Sequence, residues 1–197
     1  MVKQRVVFVH GAGSFGAAAW PRQHGMALAY DALFLRRLGY GPAAGTAEPS
    51  LGGDAAIILR ALQDDGGASG GHVVAHAQGA IPAMLAAVER PDLVHSLVLV
   101  EPACLSLTAD LPATAAHRAQ FRDCAEAPLH IVPGVPTLVL TGGWEPLFEE
   151  IAGYLRETGA VHRTAAGGHR PHDSVEGDRT IRRFIAGVSR GQTAQAS

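Results

Sequence analysis

The sequence predicts an α/β fold, an open three-layer sandwich around a mostly parallel central sheet of about six strands. Short Val- and Leu-rich runs bounded by Gly or Pro alternate with longer Ala-rich amphipathic segments, the pattern of buried parallel strands joined by helices. A chain of 197 residues is long enough for one domain with a real core. A hydrophobic content of 47%, a charged content of 17% and a mean hydropathy of +0.12 exclude a disordered or coiled-coil chain.

In chain order, the strands are expected at Val6–His10, Ala32–Arg36, His72–Ala75, Leu97–Val100, Thr137–Leu140 and Val161–Thr164. Helical spacing of apolar residues falls at Ala17–Ala29, Gly52–Gln63, Gln78–Glu89, Ala113–Cys124, Pro146–Thr158 and Ser174–Val188. Residues 1–190 are expected to form one domain, with a small lid segment at about 103–135 and a frayed, flexible tail at 191–197. The lid contributes Leu105, Leu107, Leu111, Phe121, Leu129 and Ile131, residues that suit an apolar acyl group or simple packing. The stretch Gly66–Gly71 reads as a surface turn.

A net charge of -2 and the lack of a Lys/Arg block argue against nucleic-acid or anionic-membrane partners. No apolar run reaches the roughly 18 residues that span a membrane. Val6–Val9 is too short for a signal-peptide core, and Cys104 and Cys124 form neither a redox nor a zinc pair. The expectation is a cytoplasmic protein whose partner is a small molecule. Its oligomeric state is not readable.

The first expected strand runs into Gly11-Ala12-Gly13-Ser14-Phe15-Gly16, which satisfies the dinucleotide fingerprint G-x-G-x-x-G, and the second ends in Arg36-Arg37, which would suit a 2'-phosphate. Two features oppose that reading. His10 before Gly11 begins an H-G-x-G oxyanion loop, and a short-chain reductase needs a Tyr-x-x-x-Lys pair. Lys3 is the only lysine, and Thr158 stands at that spacing from Tyr154. No cofactor is expected.

The stretch Val73-Val74-Ala75-His76-Ala77-Gln78-Gly79-Ala80 reads as a strand, a tight turn and a closely packed helix. It resembles the nucleophile elbow of the α/β-hydrolase fold, with Ala75 and Gly79 as the small residues that the sharp turn demands. Where the family has Ser, Cys or Asp, this chain has Ala77, which carries no nucleophilic atom. The other landmarks follow in the family's order. Thr141-Gly142-Gly143-Trp144-Glu145-Pro146 resembles the turn carrying the acid, and Gly167-Gly168-His169-Arg170-Pro171 the loop carrying the histidine.

The resemblance implies acyl-transfer chemistry. His169 takes the role of base and Glu145 that of the acid, with Glu101 at the end of the fourth strand as the alternative acid. The amides of Ala12 and Gln78 would form the oxyanion hole. His10, Ser14, His76 and Trp144 are placed around the substrate, Trp144 as a wall of the pocket. His172 could be read with His169 as a metal pair, but no third ligand follows at suitable spacing, so no metal is expected.

Three functions fit. The first is a hydrolase of an ester, thioester or lactone whose nucleophile has become Ala77, by deliberate inactivation or by natural loss. The second is a binding protein that holds an acyl ligand without turnover. The third is a non-nucleophilic lyase or cyclase using His169 as base.

Overall fold

The computed structural model describes residues 3–41, 48–63, 70–121 and 134–195, with side chains to 191. All six expected strands form, as β1 (Arg5–Val9), β2 (Asp31–Phe34), β3 (Gly71–His76), β4 (Val94–Val100), β5 (Thr137–Thr141) and β6 (Val161–Thr164). They make one parallel sheet in the order β2-β1-β3-β4-β5-β6. The helices are α1 (Leu51–Leu62), α2 (Ala80–Glu89), α3 (Pro112–Gln120), α4 (Pro146–Glu157) and α5 (Val175–Gln195).

Strand alternation divides the core in two. Val7, Val9, Val73, Ala75, Leu97, Leu99 and Val139 pack against α1, α2 and α4. Val6, Phe8, Val74, Val98, Val100, Leu138 and Leu140 face the other way, onto Trp20, Met26 and the α5 residues Ile181 and Ile185. That is the predicted three-layer arrangement.

The helix expected at Ala17–Ala29 is instead two 3-10 turns, Gly16–Ala19 and Gln23–Leu28. Pro21 explains the break: it lacks an N–H, and it disfavours helical geometry at Trp20, whose φ and ψ are -132° and 51°. In the lid segment, α3 follows a 3-10 turn at Leu105–Thr108 and is anchored at its start by α4. The Glu150 carboxylate accepts the amides of Ala113 and Thr114 at 2.7 and 2.8 Å. Burial opposes its ionisation, yet these two amides and the Thr114 hydroxyl hold its carboxyl below the ordinary value. Residues 122–133, with Cys124, Leu129 and Ile131, and the turn residues 64–69 lie outside the described residues. No helix among the described residues is long and apolar enough to cross a membrane.

Candidate active site

The chain lays β2 on one side of β1 and β3 on the other, so the strand order reverses between β1 and β3. In a parallel sheet such a reversal opens a crevice at the carboxyl ends of the strands. Val9 lies beside Ala75, so the loops that follow, from His10 and from His76, meet at this edge. A Cβ built on Gly11 would stand 3.0 Å from the Cβ of Ala77.

Ala77 occupies the sharp turn, with φ of +49°. Its Cβ makes this left-handed geometry cost about 1–2 kcal/mol. The elbow's demand for small residues is explicit at Gly79, where a Cβ would lie 2.6 Å from the His10 carbonyl oxygen and 2.8 Å from that of Val9. Gly79→Ala is therefore expected to lower stability by about 1–3 kcal/mol, read from the shift of a urea unfolding midpoint.

Glu101 follows β4 directly and is fully buried. Its Oε1 accepts the Gly142 amide at 2.5 Å, its Oε2 accepts the Trp144 indole N–H at 3.0 Å, and Oε2 stands 3.5 Å from His169 Nδ1. Glu101 also has a positive φ, +47°. Among the described residues, Ala77 and Glu101 are the only non-glycine residues with positive φ. They stand at the carboxyl ends of neighbouring strands.

The residues expected to be functional separate into two groups. His169 and Trp144 come together, with the His169 ring centroid 6.1 Å from that of Trp144 and 5.2 Å from that of Phe148, and the ring of His76, the residue before Ala77, lies 4.7 Å from that of His169. Glu145 does not join them. It is the N-cap residue of α4, only partly buried, and the carboxylate facing His169 belongs to Glu101. The turn after β5 presents the Trp144 indole to the site and leaves the Glu145 carboxylate outside it.

His10 and His76 are buried and bonded to backbone. His10 donates from Nδ1 to the Gly11 carbonyl at 2.7 Å and accepts the Arg37 amide on Nε2 at 3.1 Å. This fixes the first loop against the end of β2. Arg37 is itself buried in an ion pair with Asp54 at 2.8 Å, which removes it from any role in reading a nucleotide. His76 donates from Nε2 to the His169 carbonyl at 2.8 Å and so holds the loop that carries His169. Ser14 is half-buried on the first loop. Ala12 and Gln78 are exposed, directly after Gly11 and Ala77. Gln78 lies in the first turn of a short 3-10 helix, where a helix leaves its amides unpaired.

Burial also sets the charge state of three histidines, two of them beside the site and His72 at the opposite end of β3. It pushes His76 and His172 down to about 3 and His72, between Ser96 and Ser189, down to about 4, from an ordinary 6.5. The folded chain keeps these rings neutral, whereas the unfolded chain protonates them below about pH 6.5. Their contribution to stability is whole above that pH and is lost as pH falls through 6.5 toward the folded values, by about 1.4 kcal/mol per pH unit for each ring. Urea midpoints are expected to drop steadily from pH 6.5 to pH 4. A flat profile would contradict neutral burial.

No protein-family model matches the chain, and no curated protein matches it by sequence. Solved structures do. NosK from Streptomyces actuosus superposes with a TM-score of 0.70 at 21% identity, over 95% of this chain and 99% of that one. A lipase-esterase related protein from Clostridium acetobutylicum gives 0.68 at 12% identity, over 93% of this chain and 95% of the other. A mutant epoxide hydrolase from Bacillus megaterium gives 0.66 at 14% identity, over 94% of each chain. The chain has the α/β-hydrolase fold.

Proposed function

We propose that this protein is a serine-hydrolase-type framework for acyl transfer from, or hydrolysis of, an ester, thioester or lactone, with Ala77 at the nucleophile position. The observation that carries this reading is the coincidence of strain and site. Left-handed backbone at a residue with a Cβ is enriched at functional sites, and the two such residues among those described are Ala77 and Glu101, the carboxylate 3.5 Å from His169. Solved neighbours named as a lipase-esterase related protein and an epoxide hydrolase support hydrolase chemistry.

In this reading His169 is the general base, and Glu101 orients its ring and stabilises the imidazolium. The amides of Ala12 and Gln78 receive the oxyanion. The acyl group is placed against the described part of the lid segment, residues 103–121, where Leu105 is buried and Leu111 and Phe121 are exposed. As it stands, the chain binds a carbonyl ligand without forming an acyl intermediate. Ala77→Ser tests the reading, through turnover of short p-nitrophenyl esters and labelling by a fluorophosphonate. No gain in either would sink it.

One observation favours a second reading. A fully buried carboxylate is costly unless it is paired, and Glu101 keeps two donors and a histidine around it although the nucleophile is gone. The pair would then serve as a general base in a lyase or cyclase. In that case His169→Ala abolishes an activity present in the Ala77 chain, and survival of that activity removes the idea.

A further inference from the structure

Behind His169 the fold encloses polar atoms that no protein group satisfies. Trp20, Gln23 and His172 are fully buried. Trp20 Nε1, Gln23 Oε1, both ring nitrogens of His172 and Asp173 Oδ1 have no protein hydrogen-bond partner. These residues are neighbours. The Trp20 and His172 ring centroids are 4.7 Å apart, Gln23 Nε2 donates to the His172 carbonyl at 2.8 Å, and His172 Nε2 stands 3.7 Å from Asp173 Oδ1, too far for a hydrogen bond. The Ala19 carbonyl approaches the imidazole and also accepts Arg170 Nη2 at 2.6 Å, so one ring nitrogen of His172 faces that carbonyl.

The unmet capacities are complementary. The indole N–H and the one N–H of a neutral imidazole are donors, while Gln23 Oε1, Asp173 Oδ1 and the other imidazole nitrogen are acceptors. A molecule that accepts two hydrogen bonds and donates two can meet four of these five, with only one nitrogen of the His172 ring facing it. A cation would meet the indole N–H with Arg170 close by, and an anion would meet Asp173. Water serves both kinds of group, and buried waters make about three such bonds.

We propose that Trp20, Gln23, His172 and Asp173 form a built site for an ordered water molecule, and that His172, fixed by it, is a positioning residue for His169. The connection is direct. The His172 ring centroid lies 4.8 Å from that of His76, and His76 donates to the His169 carbonyl at 2.8 Å. Setting the orientation of His172 sets the plane of His76 and with it the loop carrying His169. The water site is independent of the function proposed above, while its value to catalysis rests on that reading.

High-resolution diffraction from the native chain tests the site. The expected result is one ordered water within hydrogen-bond distance of Trp20 Nε1 and Gln23 Oε1; direct bonds among the four side chains, or an empty dry space between them, would overturn it. His172→Phe keeps a ring and removes both nitrogens, and Trp20→Phe removes the indole donor together with one ring of the fused pair. In both, with circular dichroism unchanged, the single set of His169 ring resonances in NMR is expected to broaden or split, more strongly for His172→Phe. Native His169 resonances in either folded variant refute the positioning role. No assay of turnover enters, so failure of the hydrolase reading would remain a separate result.

Discussion

Ala77→Ser is expected to raise hydrolysis of short p-nitrophenyl esters by about a thousandfold or more over the Ala77 chain. Removing the serine from an established serine hydrolase lowers kcat by about a millionfold, while oxyanion contacts and binding keep a residue of the rate. The gain here is set below that because the fit of a particular ester to this crevice is not optimised. The backbone needs no rearrangement, since Ala77 already holds the elbow at φ of +49°. A serine adds one oxygen to a Cβ that already stands beside the Gly11 loop, at the edge where His169 is paired with Glu101. Glycine would relieve the strain, yet alanine is present, so the geometry that aims a side chain from this turn is intact. Stoichiometric labelling by a fluorophosphonate should accompany the gain and vanish in the Ala77→Ser/His169→Ala double variant. Label without dependence on His169 would show that the oxygen is not activated by this base.

The centre of the sheet was legible because β1, β3, β4 and β5 are buried on both faces. Runs such as Val6–Val9 and Leu97–Val100 cannot be solvated loops, and the glycines and prolines around them fix their ends to within a few residues. The elbow was legible because its constraint is steric, and Gly79 against the carbonyls of Val9 and His10 is that constraint made visible. The acid was not. Glu101 and Glu145 follow adjacent strands, and chain order alone does not say which carboxylate turns toward the histidine loop. The decision lies in a backbone dihedral at Glu101 and in the direction of the Trp144 indole, neither of which a residue pattern encodes. Nor does proximity in sequence say where the rings of His10 and His76 point. Both adjoin functional positions, but strand alternation and burial turn their rings inward onto backbone carbonyls. The Glu-Pro step right after a buried strand was the available signal for Glu101, since a carboxylate there must be either paired or exposed.

In the Ala77→Ser background, Glu101→Gln is expected to remove most of the gained rate and bring kcat down toward that of the Ala77 chain, since the carboxylate-to-amide change in a serine triad costs about ten-thousandfold. Glu145→Gln should stay within about threefold, as expected of a position that does not touch the base. The asymmetry follows from donor counting. Gly142 N–H and Trp144 Nε1–H both donate to Glu101, one to each oxygen, and His169 Nδ1 faces the same Oε2 as the indole. An amide offers a single oxygen, so one donor must face an NH2 group whichever way the side chain is flipped. If the oxygen stays on the Trp144 side, the Gly142 amide is opposed. If it turns to Gly142, an N–H points at His169 and favours the tautomer that cannot accept the serine proton. Loss of rate with kcat falling and KM nearly constant would identify an interaction made in the transition state. A large loss in Glu145→Gln, with Glu101→Gln active, would instead return the acid to the turn after β5.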